Sequence, residues 1–169
     1  MNDAEDFKII NDVEKNYSQE IKDFEEFWYL GERFQYNSFV GYTNASFSSK
    51  TLNISKLGFR GKEFDPFTKS GYRIICFGGS STLGLESTEK NTYPSQLEQM
   101  LNEKGIRAEV LNFGFGSKSL TFIHELFLNE AINYNPDLIT IYSNRNTILY
   151  DSPFNSTTGK RKGYYVDVI

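Results

Sequence analysis

The stretch "RIICFGGSST", residues 73–82, sets an apolar run directly against two glycines and two serines. A short apolar run that ends in glycine is typical of a buried strand leading into a tight turn. One glycine is enough to make such a turn. The pair Gly78-Gly79, followed by the hydroxyl groups of Ser80 and Ser81, therefore predicts a strand that ends at a functional site.

Strands and helices alternate on the C-terminal side of this stretch. The predicted strands are Arg73–Phe77, Ala108–Leu111 and Asp137–Tyr142, and the predicted helices cover residues 92–104 and 118–133. Thr92 is placed to cap the first helix, with Pro94 in its first turn and Gly105 at its end. This alternation predicts an α/β fold of three layers, α/β/α, with a parallel sheet and right-handed crossovers.

Two segments of different character precede the α/β region, which we predict to span residues 71–169. Residues 1–30 carry apolar side chains spaced by three and four, which predicts an amphipathic helical segment. Residues 31–70 are rich in Gly, Asn, Ser and aromatic residues without a helical period, which predicts an extended arm with short strands. The aromatic side chains of the arm could stack on sugars, but packing across the sheet is their default role.

Composition excludes several classes of function. A net charge of −4 argues against nucleic acid or an anionic membrane as the main partner. One cysteine, Cys76, rules out an internal disulfide, and with a single histidine we expect no metal site and no cofactor. The acidic N-terminus resembles no signal peptide, and no apolar stretch approaches the length of a membrane span, so we expect a cytoplasmic protein.

Polar clusters follow all three predicted strands. They comprise residues 78–82, residues 112–117 and residues 143–147. In open parallel sheets, ligands bind outside the carboxyl ends of the strands, where these clusters meet. Each cluster alone is a weak signal because loops favour such residues, but the three together predict a site at this edge.

These residues resemble the SGNH, or GDSL-like, hydrolases. The resemblance rests on Gly78-Gly79-Ser80, on Asn112-x-Gly114 and on Asn146, and it covers roughly residues 56–150, including "LGFRG" at 57–61. It implies a flavodoxin-like core with the strand order 2-1-3-4-5 and an esterase acting on a small or carbohydrate-linked acyl ester. It also implies that Ser80 is the nucleophile.

The same resemblance implies an oxyanion hole formed by the backbone N–H groups of Ser80 and Gly114 and the side-chain amide of Asn146. Such donors stabilise the negative oxygen of a tetrahedral intermediate. We expect residue 114 to be glycine because a side chain there would crowd the approaching substrate.

The sequence departs from the family pattern at three places. Gly79 stands where the family usually has Asp, and residues 144–147 keep only the amide of Asn146 from the third block. The family's C-terminal Asp-x-x-His is absent, and the one histidine, His124, falls in a predicted helix, where a structural role is expected. Only three of the five expected strands are found. We expect a truncated protein that lacks its C-terminal half; a split protein completed by a partner chain and a degenerate pseudoenzyme are the alternatives.

Three other interpretations are open at this point. Ser80 could simply cap the following helix. A dinucleotide-binding loop at Gly78, Gly79 and Gly84 is weak because the spacing is not G-x-G-x-x-G. The chain could also be a non-catalytic module that binds an acylated or carbohydrate ligand.

Overall fold

The computed structural model describes residues 19–30, 34–38, 40–85 and 87–143, together with two short strands at 154–155 and 160–161. In chain order the elements are α1 (residues 19–25), β1 (Phe34–Asn37), β2 (Gly41–Asn44), β3 (Phe47–Ser48), β4 (Asn53–Ile54), β5 (Tyr72–Gly78), α2 (Ser80–Leu83), α3 (Tyr93–Glu103), β6 (Ala108–Gly114), α4 (Leu120–Asn129), β7 (Leu138–Tyr142), β8 (Phe154–Asn155) and β9 (Lys160–Arg161). A π-helical turn, Glu26–Leu30, continues α1. Short 3₁₀ turns precede α3 and follow α4, at Glu89–Asn91 and Ala131–Tyr134.

A parallel sheet of three strands forms the centre of the described structure. Its strand order is β6-β5-β7, and β5 pairs with both neighbours in parallel register. The chain runs from β5 to β6 on one side and then crosses β5 to reach β7 on the other side. If the three strands are numbered 1, 2 and 3 in chain order, their order across the sheet is 2-1-3. The α/β fold with a parallel sheet is therefore confirmed.

Side chains of the sheet alternate between two apolar layers. One face packs against α3 through the residues Ile74, Cys76, Val110, Tyr93, Leu97 and Leu101. The opposite face packs against α4 through the residues Ile75, Phe77, Leu111, Phe113, Ile123 and Leu126. Two right-handed crossovers in opposite directions place their helices on opposite faces, so the three layers follow from the strand order.

The boundaries of two predicted elements were wrong. The second strand extends to Gly114 rather than Leu111, because Phe113 is buried in the core and its ring stacks on Phe59 with a centroid distance of 3.5 Å. The helix predicted over 118–133 ends at Asn129, because the backbone of Glu130 (φ −129°) leaves the helical region. By contrast, α3 begins after Thr92 and ends near Gly105 as predicted.

The segment before the sheet forms two antiparallel hairpins, β1–β2 and β3–β4. Isolated bridges from Arg60 to Ile54 and to Asn112 join the second hairpin to the outer edge of β6.

The helical segment docks through Asp23, whose carboxylate accepts hydrogen bonds from the N–H and the hydroxyl of Thr51. Burial raises the pKa of Asp23, but the hydrogen bonds from Thr51, together with those from the side chains of Gln19 and Ser49, outweigh burial and hold the pKa below its usual value. The predicted helical segment before residue 19 lies outside the described residues, and the domain boundaries stay a prediction.

No helix in the described ranges has both the length and the apolar character needed to cross a membrane. The cytoplasmic location stays a prediction.

Candidate functional site

Ser80 lies at the carboxyl end of the central strand. Strand β5 ends at Gly78, Gly79 is the N-cap of α2, and Ser80 is the first residue of that helix. The Ser80 side chain is exposed, and its Oγ forms no hydrogen bond with any residue of the described part of the chain. The interpretation that Ser80 merely caps the helix is wrong, because the capping position belongs to Gly79 and no side chain caps α2.

Close packing explains the glycine before the turn. A Cβ atom at Gly78 would lie 1.9 Å from Thr82 Oγ1 and 2.6 Å from the carbonyl oxygen of Tyr142. Glycine therefore lets the Ser80 helix and the end of β7 approach the same point. In a sheet of order 2-1-3, the crevice between the first and third strands is where ligands bind, and Ser80 lies at its mouth.

An open cavity of about 350 Å³ adjoins this serine. It is lined by Ser80, Ser81, Gly84, Leu85 and Ser87. The cavity wall consists of the Ser80 helix and the loop that follows it. Its size is within the range of pockets that hold small molecules.

The helix N-terminus supplies the polar character of the site. The carbonyl of Gly79 accepts hydrogen bonds from the N–H groups of Thr82 and Leu83, at 3.1 Å and 3.0 Å. The N–H groups of Ser80 and Ser81 precede them in the first turn, where a helix has no backbone acceptor to offer. These two N–H groups can therefore donate to an anionic oxygen next to Ser80 Oγ.

Gly114 reaches the same helix, but its N–H group already has a partner. A Cβ atom at Gly114 would lie 2.1 Å from the backbone nitrogen of Leu83, so glycine is required by the contact between β6 and α2. The expectation that Gly114 keeps space for substrate is therefore corrected. The Gly114 N–H donates to Asn112 Oδ1 at 3.0 Å, and Asn112 Nδ2 donates to the Thr82 carbonyl at 2.9 Å.

Two of the three predicted oxyanion donors lie close to each other: Ser80 begins α2, and Gly114 packs against α2. The N–H of Gly114 is already bonded to Asn112. The third, Asn146, lies outside the described residues, as do its neighbours in the range 144–153. That the amide of Asn146 lies close to Ser80 stays a prediction.

The described residues offer Ser80 no obvious general base. His124 lies on α4 with its side chain 61% exposed, and its Nδ1 is 3.4 Å from Glu125 Oε1. Beneath the turn, the hydroxyl of Tyr93 is 3.2 Å from Thr140 Oγ1. Burial raises the pKa of Tyr93 to about 12 and also raises the pKa of the Cys76 thiol, so both groups are protonated near neutral pH. Within the same ranges, no cluster of three or more His, Cys, Asp or Glu side chains could hold a metal ion.

One buried arginine behind the cavity was missed by sequence reasoning. Arg60 donates from Nη1 to the carbonyl oxygens of Leu83, at 2.8 Å, and of Gly84. It donates from Nη2 to the carbonyl of Ser87 at 2.5 Å. The only signal was its position in "LGFRG", a charged residue between an aromatic residue and a glycine, which does not reveal its partners.

Matches to known proteins are found among solved structures. No protein-family profile matches the chain, and no curated protein sequence does. Among solved structures, the SGNH-hydrolase family esterase AlinE4 aligns with a TM-score of 0.42 at 23% identity, over 50% of this chain and 46% of that one. Two variants of AlinE4 also align with a TM-score of 0.42, at 24% and 23% identity, over 48% of this chain and 44% of theirs. The chain spans about half the length of these esterases, and a TM-score below 0.5 is too low to assign it to their family.

Proposed function

We propose that the Ser80 turn is the nucleophile site of an SGNH-type serine hydrolase acting on an ester of a small or carbohydrate-linked acyl group. The observation that carries the proposal is the exposed Ser80 Oγ, which has no hydrogen-bond partner among the described residues. It stands at the first turn of a helix, at the carboxyl end of the central strand and beside a cavity. The resemblance of residues 56–150 to this family supports the same assignment.

In the proposed reaction, Ser80 Oγ attacks the ester carbonyl carbon and loses its proton. The carbonyl oxygen becomes negatively charged, and the N–H groups at the start of α2 donate to it, together with the amide of Asn146. The alcohol then leaves with a proton, and an acyl group stays on Ser80 until water removes it. For Gly114 to add a donor, its N–H must be shared with or released from Asn112.

We assign the base that accepts the Ser80 proton to no residue of this sequence, since its one histidine, His124, is exposed on α4; a further segment of the protein or a partner chain would supply it. A serine hydroxyl is a weak nucleophile near neutral pH when no adjacent base takes its proton. We therefore expect slow acylation of Ser80 by an activated ester and negligible turnover of ordinary esters by this chain alone.

The test is the rate at which p-nitrophenyl acetate acetylates Ser80, measured by mass spectrometry of the peptide that contains it. We expect acetylation at least about tenfold faster in the folded chain than in urea, because the oxyanion donors are organised only in the fold. Without a base, the rate should rise about tenfold per pH unit between about pH 6 and pH 9, as the alkoxide fraction does.

Three variants provide the controls. Ser81→Ala removes the neighbouring exposed hydroxyl and should leave the modification in place, whereas Ser80→Ala should abolish it. His124→Ala should leave the rate unchanged. Modification at Ser81, or a Ser80 rate equal to that in urea, contradicts the proposed function. A rate that levels off near neutral pH and is lost in His124→Ala would make His124 the base.

One observation favours the second candidate, a non-catalytic module that binds an acylated or carbohydrate ligand. The Gly114 N–H is already bonded to Asn112, which leaves fewer free donors for a transition state. This candidate predicts ligand binding at the cavity that survives Ser80→Ala, with no acetylation of Ser80 above the rate in urea.

A further inference from the structure

Arg60 donates hydrogen bonds to the end of α2, the short helix that begins with Ser80, and to the loop that follows it. Its side chain is fully buried, and its guanidinium donates to the carbonyl oxygens of Leu83, Gly84 and Ser87. The carbonyls at the end of a helix have no intrahelical donor, so an outside donor must satisfy them when they are buried. Arg60 supplies that donor for the last residue of α2 and for the loop beyond it.

The same guanidinium is fixed from its other side. Its Nη2 also reaches the carbonyl oxygen of Thr51 at 3.4 Å, and its Nε lies 3.5 Å from Glu89 Oε2. Burial lowers the pKa of Arg60, and the carboxylate of Glu89 opposes that change. The backbone of Arg60 bridges Ile54 and Asn112, so the side chain starts from the edge of the sheet. The guanidinium of Arg60 therefore connects the edge of the sheet to the cavity wall at Gly84 and Ser87.

We propose that Arg60 is a positioning residue that sets the place of Ser80 Oγ and of the cavity wall formed by Gly84 and Ser87. The proposal rests on the proposed function of Ser80 as a nucleophile. Arg60 acts through backbone carbonyls and does not touch the ester. Lysine cannot replace it, because one ammonium group cannot reach carbonyls that a planar guanidinium reaches from two nitrogens.

Arg73 provides a matched control at the opposite end of the sheet. Its buried guanidinium also donates to several backbone carbonyls, those of Asp65, Pro66, Thr68 and Tyr134, and it pairs with Glu109. Arg73 lies at the start of β5 and Ser80 follows its end. Arg73→Lys thus removes a comparable set of bonds without touching the Ser80 turn.

The experiment compares wild type, Arg60→Lys and Arg73→Lys, each checked for folding by circular dichroism and urea unfolding. Hydrogen exchange is measured for residues 80–87 and 65–73, and Ser80 acetylation is followed over a range of ester concentrations. We expect Arg60→Lys to raise exchange in 80–87 alone and to lower the limiting acetylation rate at least about tenfold. Arg73→Lys should raise exchange in 65–73 and change acetylation less than about twofold. In Arg60→Ala, millimolar guanidinium should restore much of the lost rate.

The outcomes separate the two proposals. If Ser80 of the folded wild type is acetylated no faster than Ser80 of the chain in urea, the proposed function fails. Hydrogen exchange alone then tests the role of Arg60. Exchange that rises selectively in 80–87 of Arg60→Lys then supports the positioning of the turn. If wild type does acetylate Ser80 faster than in urea, equal acetylation in wild type and Arg60→Lys overturns the proposal, as does an equal loss in both lysine variants. Unchanged exchange in residues 80–87 of Arg60→Lys overturns it as well.

Discussion

At the scale of single residues, Gly114 and Ser117 lie in the same short segment and constrain the backbone in opposite ways. Gly114 has no room for a Cβ atom, which would lie 2.1 Å from the Leu83 nitrogen. Ser117 carries a Cβ atom at φ 59°, in the left-handed region where side chains are strained. Substitutions at these two positions should therefore change stability with opposite signs.

We predict that Gly114→Ala lowers the free energy of unfolding by about 3 kcal/mol, because the added methyl group forces β6 and α2 apart. Ser117→Gly should raise it by about 0.5–1 kcal/mol, the relief of left-handed strain less the entropy of glycine in the unfolded chain. Urea unfolding of both variants measures the two changes. A Gly114→Ala variant as stable as wild type would show that β6 and α2 are not in close contact.

The position of Ser80 could be predicted from the sequence, but the contacts made by the nearby residues Gly114 and Arg60 could not. An apolar run ending in glycine marks the end of a strand, and the hydroxyl residues after it mark the start of a helix. The contact that requires glycine at 114 is formed with Leu83, 31 positions earlier in the numbering. The carbonyl partners of Arg60 are also distant in sequence, at Leu83, Gly84 and Ser87. Local patterns carry no information about such partners.

At the scale of elements, the two helices beside the sheet begin differently. Thr92 caps α3, and its Oγ1 accepts a hydrogen bond from the Ser95 N–H at 3.4 Å. Ser119 is the N-cap of α4, but its side chain makes no capping hydrogen bond. The two positions form a natural pair for measuring what the capping bond contributes.

We predict that Thr92→Ala lowers the free energy of unfolding by about 1 kcal/mol, because it leaves the Ser95 N–H without its acceptor. Ser119→Ala should cost clearly less, since no capping bond is lost there. Thermal and urea unfolding of the two variants give the comparison. Equal losses at both positions would mean that the Thr92 hydroxyl contributes nothing as a cap.

The capping signals explain why α3 could be predicted closely and α4 could not. Thr92, Pro94 and Gly105 mark both ends of α3 in the sequence itself. The end of α4 depends instead on Glu130, whose carboxylate accepts hydrogen bonds from the hydroxyl of Tyr134 and from the side chain of Asn37. The second partner belongs to the hairpin β1–β2, so tertiary contact ends the helix earlier than its apolar pattern suggests.

At the scale of the whole molecule, the two outer edges of the parallel sheet differ. The edge at β6 is covered by α3, because Glu98 accepts from the Val110 N–H and Asn102 bonds both backbone groups of Ala108. The other edge strand, β7, pairs with β5 and with no other strand in the described ranges. Its side chains Leu138 and Ile141 are 53% and 52% exposed. An apolar edge of this kind favours pairing with a further strand.

We predict that this edge drives concentration-dependent self-association of the chain, and that Ile141→Lys reduces it, because a lysine on an edge strand opposes pairing with another strand. The matched control is Ile132→Lys, since Ile132 is 47% exposed but lies on the 3₁₀ turn after α4 rather than on the edge. Sedimentation velocity over a range of concentrations measures the association of the three proteins. We expect wild type and Ile132→Lys to associate alike and Ile141→Lys to stay closer to the monomer. Equal effects of the two lysines would mean that general surface hydrophobicity, rather than the edge of the sheet at β7, causes the association.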